Sequence, residues 1–134
     1  MTADRGGTAG VTGALPVAAV VLPGLFGLTG VALGAFGAHA LKARLGPELL
    51  EVFRTGVFYQ LVHAVALLGL AGIRERLRAP RVTTWLFSVG IVIFSGSLYA
   101  LATTGVRLWG AITPLGGLAF LAGWASLLLP RSRR

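Results

Sequence analysis

Val82–Thr104, VTTWLFSVGIVIFSGSLYALATT, is a run of 23 residues without one charged side chain. A helix exposed to water on one side needs a charged or strongly polar face, and this stretch has no charged residue to build one. At 1.5 Å per residue it would be roughly 34 Å long, enough to cross the ~30 Å hydrocarbon core of a bilayer. Three further apolar runs lie around it. Leu108–Leu129 carries no charge, Gly56–Ile73 has one histidine, His63, and Leu15–Leu41 has His39 as its only ionisable residue. Inside lipid each backbone N–H and C=O needs an internal partner, so all four runs are expected to be helices. The fold class is therefore all-α: a polytopic membrane protein, a bundle of four transmembrane helices.

Composition agrees. The chain has 134 residues, 55% hydrophobic and 12% charged, and a mean hydropathy of +0.82. A soluble domain needs more polar surface than this. With no cysteine, disulfides, thiolate catalysis and cysteine-held metals are excluded. The net charge of +8 does not point to nucleic acid, because the basic residues lie between and beyond the apolar runs instead of forming a patch with interleaved aromatics.

The ends of the runs have local causes. Pro16 and Pro23 both fall early in the first, so its helix starts at Pro16 and kinks or starts near Pro23. Leu45-Gly46-Pro47 interrupts the chain, and Pro47 suits the first helical position of the second segment. Glu48 and Glu51 then complement the helix dipole in its opening turns. The expected spans are 15–41, 47–73, 82–104 and 108–129, joined at 74–81 by a basic connector and at 105–107 by a tight one. Residues 1–14, rich in Gly, Thr and Ala, are expected to be a disordered tail, and 130–134 a basic C-terminal tail. Ala38-His39-Ala40 resembles a signal cleavage site, but the apolar run before it is too long for a signal peptide.

With four spans, the N-terminal tail, the 74–81 connector and the C-terminus share a side. Arg5, Arg74, Arg76, Arg78, Arg81, Arg131, Arg133 and Arg134 lie there, against Lys42, Arg44, Arg54 and Arg107 opposite. The positive-inside rule places both termini in the cytoplasm.

This topology also sets depth. His39 is late in the first helix, Tyr59, Gln60 and His63 early in the second, Ser95, Ser97, Tyr99 and Thr103 late in the third, and Thr113 early in the fourth. All are expected in the outer half of the bilayer. Glu51, Thr55, Tyr59 and His63 recur every four residues along one helix face, as Ser88, Ser95, Tyr99 and Thr103 do less regularly. Polar side chains in lipid usually point into the bundle. The candidate site is thus a polar cluster of His39, Tyr59, Gln60, His63, Ser95, Ser97, Tyr99 and Thr113, with His63 neutral and bonded to the hydroxyl of Tyr99 or Ser95. Two roles are open to it: structural hydrogen bonding between helices, or a site for a ligand, ion or proton.

Small residues supply candidate packing positions: Gly30, Gly34, Gly37 and Ala38 in the first helix, Gly96 in the third, and Gly116, Gly117 and Gly123 in the fourth. Gly30, Gly34 and Ala38 have the small-xxx-small spacing that lets helix backbones approach closely. Nucleophile, zinc-hydrolase and phosphate-loop motifs are absent, so no catalytic residues, metal or cofactor are assigned. Two histidines fall short of the usual ligand set of a catalytic zinc; a haem held between His39 and His63 is the remaining cofactor option.

Gly34–His39 (GAFGAH), Thr55-Gly56 with Tyr59-Gln60 and His63, Phe94–Tyr99 (FSGSLY), Leu108-Trp109, and Thr113-Pro114 with Gly116-Gly117, Phe120-Leu121 and Gly123-Trp124 resemble, in order, the motifs of the YgdD family. These are small multi-pass bacterial inner-membrane proteins, also described as domain of unknown function 423, with eukaryotic relatives called transmembrane protein 256. The resemblance covers roughly Gly27 to Leu128 and implies a plasma-membrane location. It implies no catalytic residues. The expected function is a non-enzymatic structural or interaction component of the membrane, whose partners are the lipid bilayer and another membrane protein or a second copy. The alternatives are a transporter or channel element passing a proton or small solute through the polar cluster, and a haem-binding or redox subunit.

Overall fold

The computed structural model describes residues 17–129; the two expected tails, 1–14 and 130–134, lie outside them, as do Leu15 and Pro16. Four helices are long and apolar enough to cross a membrane: α1 (Val17–Leu41), α2 (Pro47–Arg76), α3 (Pro80–Thr104) and α4 (Leu108–Leu127). Among the described residues there is no strand.

α1 is already helical at Val17 and continues through Pro23, so a start at Pro23 is ruled out. Pro23 removes one N–H from the ladder without ending the helix. Pro47 begins α2 after an extended Gly46 (φ −63°, ψ 160°), with Glu48 in the first turn. At its far end α2 tightens into a 3₁₀ turn at Arg74–Arg76. The connector is shorter than 74–81, because α3 begins at Pro80 instead of Val82. Proline's fixed φ suits the first helical position, so the helix starts before its apolar run does. Gly105 closes α3 in the left-handed region (φ 70°), its N–H bonded to Leu101 O at 2.8 Å. α4 ends at Leu127, two residues earlier than expected.

Two segments widen into π-helix: Gly37–Leu41 at the end of α1 and Ile91–Ser95 in the middle of α3. Such turns re-aim side chains within an otherwise regular helix.

α1 packs chiefly on α2, α2 also on α3, and α3 on α4. α2 is the most enclosed span, with 44% of its apolar window buried, and α1 the least, with 11%. Two apolar clusters fill the interior. One holds Leu41, Leu50, Phe53, Val57 and Ala102; the other holds Leu67, Leu70, Phe87, Ile91 and Phe120. Along α2 the interval between them contains Gln60 and His63, both almost fully buried.

Candidate functional site

Gln60 is thirteen residues into α2, roughly 20 Å from its start. Its amide is fully used. Nε2–H donates to Phe26 O at 2.9 Å and to Thr29 Oγ1 at 2.8 Å, both on α1. Oε1 accepts from the Tyr99 hydroxyl of α3 at 2.8 Å. One side chain therefore ties three helices. It can reach α1 because Gly30 and Gly34 let the two backbones close: a Cβ on Gly30 would lie 2.7 Å from Leu61, and one on Gly34 3.3 Å from Val57. Tyr99 reaches it across Gly56, where a Cβ would lie 2.8 Å from the phenol ring, and packs against Phe53 at 4.8 Å between centroids.

His63 lies one turn further along α2. The expected bond to Tyr99 or Ser95 is corrected: its partner is on α4. Trp124 Nε1–H donates to His63 Nε2 at 3.1 Å, and His63 Nδ1 lies 2.8 Å from Tyr59 O. An indole N–H only donates and a carbonyl only accepts. The ring is thereby the neutral tautomer, protonated on Nδ1. Phe120 stacks on it at 3.6 Å and 11°, and Phe87 meets its edge at 5.3 Å. Phe120 and Phe87 are themselves admitted by glycines: a Cβ on Gly90 would overlap the Phe120 ring, and one on Gly123 would lie 2.5 Å from that of Phe87.

Two hydroxyl pairs join α3 to α4. Ser97 Oγ and Thr113 Oγ1 are 2.7 Å apart, and Thr83 Oγ1 and Ser126 Oγ 2.6 Å apart. Ser97 also donates to Phe94 O at 2.9 Å. Ser95, in the π turn, is 1% exposed, and its Oγ finds no partner among the described residues.

The eight candidate residues thus separate. Gln60 and Tyr99 form one unit, Ser97 and Thr113 another, and His63 turns to Trp124. Tyr59 is 37% exposed and contributes its carbonyl and its ring, 4.5 Å from Phe94. His39 does not join. It is exposed near the end of α1, about 20 Å along the bundle axis from His63 by helical rise, too far to share one haem. The face through Glu51 and Thr55 turns outward, and Thr55 bonds its own backbone at Glu51 O. Of the packing glycines, Gly37 meets Phe53 (2.9 Å) and Gly116 meets the Phe94 backbone (2.7 Å to Cα), while Gly117 makes ordinary contact at 3.8 Å. Gly96 faces open space and Ala38 is exposed, so neither is a close crossing.

Thr29, Gly56, Gly90 and Trp124 are not among the candidate residues, although Gly56 and Trp124 fall in the family motifs. Trp124 carries a signal: an indole N–H within an apolar run needs an acceptor, and few are available at that depth. Thr29 gives little, since a threonine in a helix ordinarily bonds its own backbone; it does so here too, at Leu25 O, while accepting from Gln60. No group of three His, Asp or Glu side chains able to hold a metal occurs among the described residues.

A family model described as "Protein of unknown function (DUF423)" matches residues 33–117. The inner membrane protein YgdD of Escherichia coli K12 is 42% identical over 116 residues, covering 82% of this chain and 86% of the relative. The membrane protein YwdK of Bacillus subtilis 168 is 43% identical over 113 residues, covering 82% and 92%. The membrane protein SH2409 of Staphylococcus haemolyticus is 41% identical over 112 residues, covering 82% and 91%. No solved structure matches the chain.

Proposed function

The chain belongs to the DUF423 family of membrane proteins, and from that premise we propose that it is a non-enzymatic structural or interaction component of the bacterial plasma membrane, with both termini in the cytoplasm. The observation that carries the proposal is that every polar side-chain atom of Gln60 and His63 has a fixed partner, on α1, α3 and α4 and, for His63 Nδ1, on the α2 backbone itself. Buried polar groups with every donor and acceptor engaged specify one packing arrangement. A proton path needs a group that can turn toward water and change its protonation state. His63 instead lies between two apolar clusters, stacked on Phe120. The interaction surface in this reading is the outer face of α1, where Leu28 is 70% exposed and Gly24 and Gly27 border open space.

The test is reconstitution of the full chain into vesicles loaded with a pH-sensitive dye, under an imposed proton gradient. Decay at the protein-free rate is expected. A faster decay that His63→Ala abolishes would replace this proposal with the transport reading. In cells, a photo-crosslinker at Leu28 should capture a protein neighbour or a second copy; labelling of lipid alone would remove the interaction role.

A further inference from the structure

Beyond that reading, we infer that the groove between α1 and α3, at the end of the bundle where α2 turns into α3, binds an anionic phospholipid. The groove arises from the way α1 packs. Its inner face goes to α2, so at this end a wedge stays open between α1 and α3. Two adjoining cavities of about 500 and 550 Å³ occupy it, sharing Leu22, Thr84 and Trp85.

The two parts differ in chemistry. The deeper cavity is bordered by Phe26, Val89, Val92 and Ile93, which offer an acyl chain a continuous apolar track. The outer cavity reaches Arg74, Glu75 and Arg81. From Arg81 to Ile93 is twelve residues, roughly 18 Å of helix, close to the ~15 Å depth of one hydrocarbon leaflet. The groove therefore has the length of a lipid tail, with arginines where a headgroup would lie.

Charge decides the headgroup. The 74–81 segment holds Arg74, Arg76, Arg78 and Arg81 against one carboxylate, Glu75. Among the described residues the ion pair found is Arg54–Glu51, near the start of α2, so no described carboxylate lies within pairing distance of these arginines. Guanidinium forks suit phosphate oxygens, and basic pockets between membrane helices are recognised sites for anionic headgroups. A free anion would use the arginines and leave the apolar track empty. A partner helix would have to approach across Trp85, Val89 and Val92, side chains too bulky for the close crossings that small residues permit.

Trp85 lines both cavities and is 70% exposed, so it can report occupancy. The full chain would be reconstituted in phosphatidylcholine vesicles containing a small fraction of either brominated phosphatidylglycerol or brominated phosphatidylcholine. The Trp85 contribution is the difference in quenching from Trp85→Phe. Quenching of Trp85 by the glycerol lipid severalfold above that by the choline lipid is expected. Combined Arg74→Gln and Arg81→Gln should equalise the two, with helicity and melting unchanged. Equal quenching in the wild type overturns the inference, as does a preference that survives the double substitution. Two further results overturn it by naming another occupant: a preference seen only after residues 2–16 are deleted, or quenching lost as protein density in the vesicle rises, which would put a second copy in the groove.

Discussion

Trp124 on α4 and His63 on α2 share one hydrogen bond whose direction is fixed: indole N–H to imidazole Nε2, at 3.1 Å. Because Tyr59 O takes the other ring nitrogen at 2.8 Å, the ring is held neutral with its proton on Nδ1. The bond spans 61 positions of sequence and joins α2 to α4.

Removing either partner should cost on the order of 1 kcal/mol, the usual scale of an interhelical bond in lipid. A double-mutant cycle of His63→Ala with Trp124→Phe should show coupling. His63→Ala with Tyr99→Phe should be additive, because those side chains do not meet. Unfolding in mixed micelles measures both, and additivity in the first cycle would refute the bond.

Gln60→Leu is expected to be more damaging than Tyr99→Phe. The first substitution strands the half-buried Tyr99 hydroxyl and removes three bonds at once, whereas the second leaves one amide oxygen unpaired. A buried polar group without a partner costs about 1–3 kcal/mol. Equal midpoints for the two variants would show that Gln60 does not act as the hub.

Gly116→Ala should destabilise strongly, since its Cβ would lie 2.7 Å from Phe94 Cα, an atom of backbone that cannot rotate away. Overpacking of this kind costs about 1–3 kcal/mol. Gly96→Ala, facing open space, should be neutral or stabilising by up to ~1 kcal/mol through helix propensity. Gly34→Leu should likewise be worse than Leu28→Ala, whose side chain is 70% exposed. Thermal melting in detergent ranks the four, and a harmless Gly116→Ala would contradict the α3–α4 crossing.

Reporter fusions at the C-terminus test orientation. The eight-to-four imbalance of basic residues predicts that a cytoplasmically active reporter works there and a periplasmically active one does not. Activity of the periplasmic reporter would invert the topology.

The number of spans and their approximate limits are legible in the chain because they depend on local quantities: the length of an uncharged run, the proline at position 47, the glycine at 105. α3 shows the limit of this: hydropathy places its start at Val82, while the helix begins at Pro80 and draws Arg81 in. Relative height was legible, since residue count along a helix measures it: Gln60 meets Tyr99, and Ser97 meets Thr113. Azimuth was not. Neighbouring residues differ by 100° around a helix, so Tyr59, which is partly exposed, and Gln60, which is buried, occupy nearly one height with different surroundings. Periodicity alone chose the face through Glu51, Thr55 and Tyr59; packing turned the face through Phe53, Gly56 and Gln60 inward, because that face carries the glycine over which the Tyr99 ring can lie. His63 belongs to both, which is why its burial could be anticipated and its partner could not. Which donor reaches it depends on how α4 rotates against α3, and that rotation is set by Gly116, Gly123 and Gly90 admitting the bulk of Phe94, Phe87 and Phe120. Contacts between helices far apart in sequence arise from shape fitting across the bundle, and only the assembled tertiary structure contains them.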